Sequence, residues 1–309
     1  MKTGKTAALL IFLCGAASLA SAKPDSSTEL NVQASTRPEA RLGINRHFIF
    51  PFLRGEGPLT ADNNIKTTLS ADITPVSMNT SAEAVWTPAA FFNISAGAKA
   101  GSGWNIELFG SDIRGIGINR RGAGGEAEVK GSAFDGLLWR VKAGATFQFD
   151  LAALFPGDWN HVVFLTYHEW NYKGYTAASK GESWYYENDD GENMNGSNYY
   201  ANFVLGYQMP IFLSMAAFMA EVEKYLYDTP GRELWGDELG RWTLSGILNF
   251  SITENISAAL LLQFRTRRNF SNGNNDDSQY YQDRRIVESG NKRCFEWYRL
   301  ALNMTWKLR

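Results

Sequence analysis

YRLALNMTWKLR, residues 298–309, sets Tyr298, Leu300, Leu302, Met304, Trp306 and Leu308 at every second position. Arg299, Ala301, Asn303, Thr305, Lys307 and Arg309 stand between them. A period of two puts the two sets on opposite faces of one strand, whereas a helix would scatter both around its circumference. The stretch is about eleven residues long, the length a tilted strand needs to cross a bilayer.

The same alternation recurs upstream. Leu137, Trp139, Val141, Ala143, Ala145, Phe147 and Phe149 form one apolar set, Trp242 to Ile252 a second and Ile256 to Phe264 a third, each interleaved with mostly polar residues. Weaker versions cover residues 65–73, 76–87, 90–100, 160–172, 198–209 and 211–227. Between these runs, short connections at Thr87-Pro88, 151–158, Met209-Pro210 and 253–255 alternate with long polar ones at 101–135, 173–197, 228–240 and 269–293. Short turns at one rim and long loops at the other mark an outer-membrane barrel. The expectation is an all-β, closed, antiparallel up-and-down transmembrane barrel of about ten strands, with twelve as the alternative. Its short turns would be periplasmic, its long loops extracellular, and both termini would lie on the short-turn side.

Closure follows from physics. A lone strand in hydrocarbon would leave its backbone groups unpaired, and a closed sheet pairs them all. Alternation alone would also suit a soluble sandwich. Export, uniformly long strands and aromatic residues at the rims decide between them. Trp86, Phe250 and Trp306 fall near the short-turn ends, and Trp242 and Tyr298 near the long-loop ends, as interfacial belts require.

The first 22 residues read as a secretory signal peptide: Lys2 and Lys5, an apolar run from Ala7 to Leu13, and Ala20-Ser21-Ala22 as the cleavage site. A lipoprotein cut before Cys14 is disfavoured by Leu13, where a small residue is expected. With Cys14 removed, Cys294 stands alone and no internal disulfide can form. Residues 23–61 are expected to be an exported tail or a partial strand segment, with Ser26–Glu39 polar and Leu42–Leu53 apolar but broken by Pro51. The barrel is then expected over 62–309. Residues 103–119 read as a hairpin above the membrane or a further strand pair. The formal charge of −2 gives no reason to expect a nucleic-acid partner.

The runs GATFQFDLAALFPGDWNHVVFLTYHEW (144–170), GESWYYENDDGENMNGSNYYANFVLGYQMP (181–210) and KYLYDTPGRELWGDELGRW (224–242) resemble a family of spirochaetal, treponeme-type outer-membrane β-barrel proteins. The resemblance implies a location and a fold but carries no catalytic motif.

In such a barrel the polar set lines the interior. Lys66, Arg140, Lys142, Arg241, Arg265, Arg267, Arg299 and Lys307 are the expected lumen residues, with Asp72, Glu83 and neutral groups such as Gln263 and Asn303 beside them. This basic excess would favour small anions in a water-filled lumen. In the competing reading the side chains bond one another and fill a small barrel. Loops 101–135 and 173–197 would then serve as a surface for adhesion-like contacts, with Trp184, Tyr185, Tyr186, Asp189 and Asp190 as contact residues. The acidic stretch ENDDGEN resembles part of an EF-hand loop, but Tyr186 occupies the first ligand position, so a solvated acidic loop is expected and no metal site. His168 is the one candidate for rim catalysis. Glu169 beside it points to the opposite face and cannot pair with it, and no nucleophile elbow occurs, so an enzyme is not expected. No cofactor is expected. The expected partners are outer-membrane lipid, the barrel-assembly machinery, and small anions or a surface ligand.

Overall fold

The computed structural model describes residues 24–37, 39–108, 110–121, 127–187, 189–226, 236–270 and 286–308. The expected signal peptide lies outside these residues, as does most of the polar connection at 269–293. Twelve strands form the wall: β1 (Asp25–Ser35), β2 (Ala40–Pro51), β3 (Asn64–Thr74), β4 (Ser77–Ala89), β5 (Phe92–Gly103), β6 (Leu138–Asp150), β7 (Val162–Tyr175), β8 (Gly196–Gln208), β9 (Leu213–Tyr225), β10 (Arg241–Ser251), β11 (Ile256–Arg268) and β12 (Arg293–Leu308). Each is antiparallel to its sequence neighbour, and β1 pairs with β12 from Thr28↔Leu308 to Ser35↔Ala301, which closes the barrel.

The count corrects the expected ten to twelve, and the wall begins at residue 25 rather than 62. Both added strands come from the segment read as a tail or partial strand. In β1, Leu30, Val32 and Ala34 take one face while Glu29, Asn31 and Gln33 take the other. In β2, Pro51 is the final residue, where a missing N–H costs the ladder least. A smaller correction concerns Thr87-Pro88, which lies within β4. Its pairing with β5 jumps from Trp86 to Ala89, a local irregularity around a residue that cannot donate, and the turn falls at 90–91.

The wall is inside out relative to a soluble fold. On the outer face Leu205 is 57 % exposed, Phe218 51 % and Leu262 44 %, whereas on the inner face Glu169 is 3 % exposed and Gln263 4 %. Large apolar side chains laid open all round a closed sheet are the surface that hydrocarbon requires. No helix among the described residues is long and apolar enough to cross a membrane.

The strand ends sort as expected, with both described ends of the chain on the short-turn side. At the other rim, Ile116–Arg121 pairs with Ser183–Tyr186 and with Ala127–Lys130 in a small three-stranded sheet. Ile106–Leu108 and Ser111–Ile113 form a separate hairpin. The 103–119 segment thus contributes a hairpin and a cap strand rather than wall. Ile116, Ile118, Leu138, Tyr175, Ala178, Trp184 and Tyr186 bury a compact apolar core under this cap.

One close approach inside the wall is unusually demanding. A Cβ on Gly144 of β6 would lie 2.7 Å from the Tyr167 ring and 2.9 Å from the His168 carbonyl oxygen. The Tyr167 ring lies over the bare glycine, and its hydroxyl donates to Glu169 at 2.6 Å. Gly144→Val is therefore expected to lower folding stability by about 1–3 kcal/mol, the usual cost of overpacking. Urea titration of the folded protein in lipid vesicles measures it, and an unchanged midpoint would refute the packing argument.

Candidate functional site

The long-loop half of the barrel holds a cavity of about 590 Å³. It is lined by inward positions of the wall strands and by the loop at 176–195, which turns into the lumen instead of outward. Glu187 anchors that loop at one side. Its carboxylate accepts from Arg41 at 2.6 Å, Ser77 Oγ at 2.8 Å and Asn79 Nδ2 at 2.9 Å, joining it to β2 and β4. The Tyr186 hydroxyl donates to Asn79 Oδ1 at 2.6 Å. Asp190 anchors the other side, 2.9 Å from Arg265 of β11. Lys173 Nζ donates to Asn193 Oδ1 at 3.0 Å, and the Tyr225 hydroxyl to the Glu192 carbonyl at 2.9 Å. Glu187 holds a left-handed backbone, φ 53°, a costly conformation for a side-chain-bearing residue that the three-way anchor maintains.

Burial alone would push the Glu187 carboxyl up, but Arg41, Lys99 and the Asn79 and Ser77 hydrogen bonds outweigh it, and the group sits below its ordinary range. Asp190 behaves alike, with burial opposed and overcome by Arg265 and Arg241. Asp189 opens onto the cavity, yet its enclosure by the wall pushes it up to about 6 against the hydrogen bonds from Asn193, Gly191 and Tyr186.

The lumen residues expected from the alternation separate by depth. Arg140, Arg241, Arg265 and Arg299 line the cavity. Lys142 lies deeper, 2.8 Å from Glu83, and Arg267 pairs with Glu296 at 3.4 Å near the long-loop end. Lys66 and Lys307 stand near the short-turn end, outside the cavity lining. Alternation alone left their partners uncounted. Arg140 pairs with Glu169, Arg241 with Glu223, and Arg299 with Glu39. Arg265 also meets Glu296 at 2.8 Å, and Lys173 meets Glu223 at 3.1 Å. Glu169, Glu223 and Glu296 share the inward face of their strands, so the period of two contained them, whereas Glu39 stands on the β1–β2 connection. Arg37 and Arg41 were missed with the N-terminal strands. Around the cavity stand eight basic side chains (Arg37, Arg41, Lys99, Arg140, Lys173, Arg241, Arg265, Arg299) and six carboxylates (Glu39, Glu187, Asp189, Asp190, Glu221, Glu223), an excess of two positive charges.

Four expectations are corrected. Trp184, Tyr185 and Tyr186 are 1 %, 2 % and 8 % exposed, so they are core of the cap and not a surface contact patch. Asp189 and Asp190 belong to the lumen, and the acidic loop is held by arginines and amides of this chain rather than solvated outside. His168 lies mid-strand on the outer face. Its ring nitrogens are 2.6 Å from the Tyr199 hydroxyl and 2.9 Å from Thr166 Oγ1, away from the lumen and from either rim. Tyr298 also changes sides. The β11–β12 pairing passes from Gln263↔Arg299 to Phe264↔Trp297, and this bulge at Tyr298 turns it inward beside Arg299 to line the cavity.

No protein-family profile matches the chain, and no curated protein does. Among solved structures it is similar to a KdgM porin (10 % identity, TM-score 0.40, covering 92 % of this chain and 99 % of that one). It is also similar to the β domain of the Bordetella autotransporter BrkA (8 %, 0.42, covering 92 % and 98 %) and to the CymD monoaromatic hydrocarbon channel (8 %, 0.39, covering 96 % and 92 %).

 The twelve-stranded architecture rests on the chain's own pairing.

Proposed function

We propose that this chain is an outer-membrane channel whose lumen passes small solutes with a weak preference for anions. One observation carries the reading: a charged, solvent-sized cavity inside a closed wall whose outer face is apolar. An apolar exterior suits lipid, and a polar lumen suits water and ions. The excess of two positive charges around the cavity supports the sign of the selectivity, and the extensive ion pairing supports its weakness. Outer-membrane lipid and the barrel-assembly machinery are the partners this reading implies.

The test is reconstitution in planar bilayers under a potassium chloride gradient. Discrete current steps are expected, with a reversal potential displaced toward that of chloride. Correctly folded protein that stays electrically silent would remove the channel reading, and a displacement toward potassium would remove the anion preference.

A further inference from the structure

Three guanidinium groups converge on one ring in the cavity wall. The Cζ atoms of Arg265, Arg37 and Arg299 lie 4.5, 4.7 and 4.9 Å from the centroid of Tyr298. Like charges gathered this closely repel unless anions compensate them. Arg299 is met by Glu39, and Arg265 by Glu296 and Asp190. Arg37 enters no ion pair among the described residues. The ring is there only because the bulge in β12 aims two successive side chains, Tyr298 and Arg299, into the lumen. Bulges that re-aim a side chain are over-represented next to functional sites. Planar guanidiniums stacked on an aromatic face keep their edge N–H groups free to grip a carboxylate in two-pronged fashion.

We propose that the Arg37–Arg265–Arg299 cluster on Tyr298 is a binding site for the carboxylate groups of small multivalent organic anions, and that Asp190 is a tethered carboxylate occupying part of it. Glu39 and Glu296 are fixed by wall strands or a two-strand turn. Asp190 instead rides on the inward loop, so it alone among the three can leave with a local movement of that loop. A solute carboxylate arriving at the cluster replaces Asp190 at Arg265 and uses Arg37 as its second contact. The inference rests on the channel reading for its route of entry but not for the site itself.

The experiment uses the full chain folded in detergent micelles, with citrate as the probe titrated calorimetrically. Removing the tethered competitor in Asp190→Asn is expected to tighten citrate binding by about five-fold or more, the lower end of usual coupling between linked ligands. Arg37→Gln is expected to weaken it about ten-fold, the loss of one charged hydrogen-bonding partner. Arg54→Gln removes the same charge from the exposed short-turn connection and is expected to leave citrate affinity within about two-fold. Citrate binding by Asp190→Asn no tighter than by the parent overturns the proposal. So does an equal loss in Arg37→Gln and Arg54→Gln, which would reduce the effect to net charge. If Asp190→Asn does not fold, the Arg37→Gln and Arg54→Gln comparison decides. Current steps without citrate binding would keep the channel and remove the site. Citrate binding without current steps would do the reverse.

Discussion

Replacing Leu262 by arginine is expected to destabilise the folded protein in lipid by about 2–4 kcal/mol. Leu262 is the seventh residue of the thirteen in β11 and points outward, with 44 % of its surface exposed. Its cross-strand partners are Gly246 and Leu300, and no charged neighbour lies directly opposite it. In water, a leucine so exposed could be exchanged for arginine within about 0.5 kcal/mol. In hydrocarbon near the bilayer midplane, the guanidinium must be desolvated or drag water inward. The same substitution thus reports which solvent surrounds the wall. Equilibrium urea unfolding in phosphatidylcholine vesicles measures it, and a change no larger than the aqueous figure would end the transmembrane assignment. Because the midplane penalty falls toward the interfaces, Trp306→Arg near the short-turn end is expected to cost less.

The second large effect concerns the inward loop. Glu187 and Asp190 join opposite parts of the wall, so removing one anchor should let the loop leave the lumen. Glu187→Gln keeps the shape but loses the charge facing Arg41, which retains Asp72 at 3.5 Å, so the tie between the loop and β2 is the one that weakens. Single-channel conductance of the variant is expected to rise severalfold, because a segment crossing the lumen obstructs current. Conductance unchanged from the parent would show that the loop does not limit the passage. The pH dependence separates the loop's carboxylates. Asp189, raised to about 6, holds its proton more tightly folded than unfolded. Its enclosure opposes the seated loop at neutral pH, and that opposition fades as pH falls toward 4. Glu187 and Asp190 are shifted down, so their anchoring persists through the same interval and is lost only as pH falls through their folded values. Between neutrality and about pH 4 the loop should therefore become more firmly seated, and conductance should not rise.

Ten of the strands could be read from residue alternation because each displays apolar side chains to one side without a long interruption. The first two could not, for a local reason. In β2, Arg46 occupies the outward set between Ile44 and Phe48, where it donates to Thr28 Oγ1 at 2.6 Å and Ser26 Oγ at 2.9 Å across the β1 edge. A charge in the apolar register hides the period, and its partners are the very polar residues that made β1 look like a tail. The lumen bases were legible for the same reason as the strands. The path of the 176–195 loop was not, because a period of two tells which way a strand residue faces and nothing about where a connection folds. Trp184, Tyr185 and Tyr186 look like contact residues until the partner strand at Ile116–Arg121 is known. Tyr298 was assigned to the wrong side because one bulge shifts the phase of everything before it.

The seam between β1 and β12 has a kinetic consequence. Every other neighbouring pair in the wall is joined by a local connection, whereas Thr28 meets Leu308 across nearly the whole polypeptide. Such a distant union carries the greatest chain-entropy penalty and can form only after the last strand has been delivered. Until then both terminal strands present raw hydrogen-bonding edges, available to any other extended segment nearby. An assembly factor that shields those two edges, rather than one that speeds hairpin formation, is what a polypeptide of this topology most needs on its way to the finished cylinder.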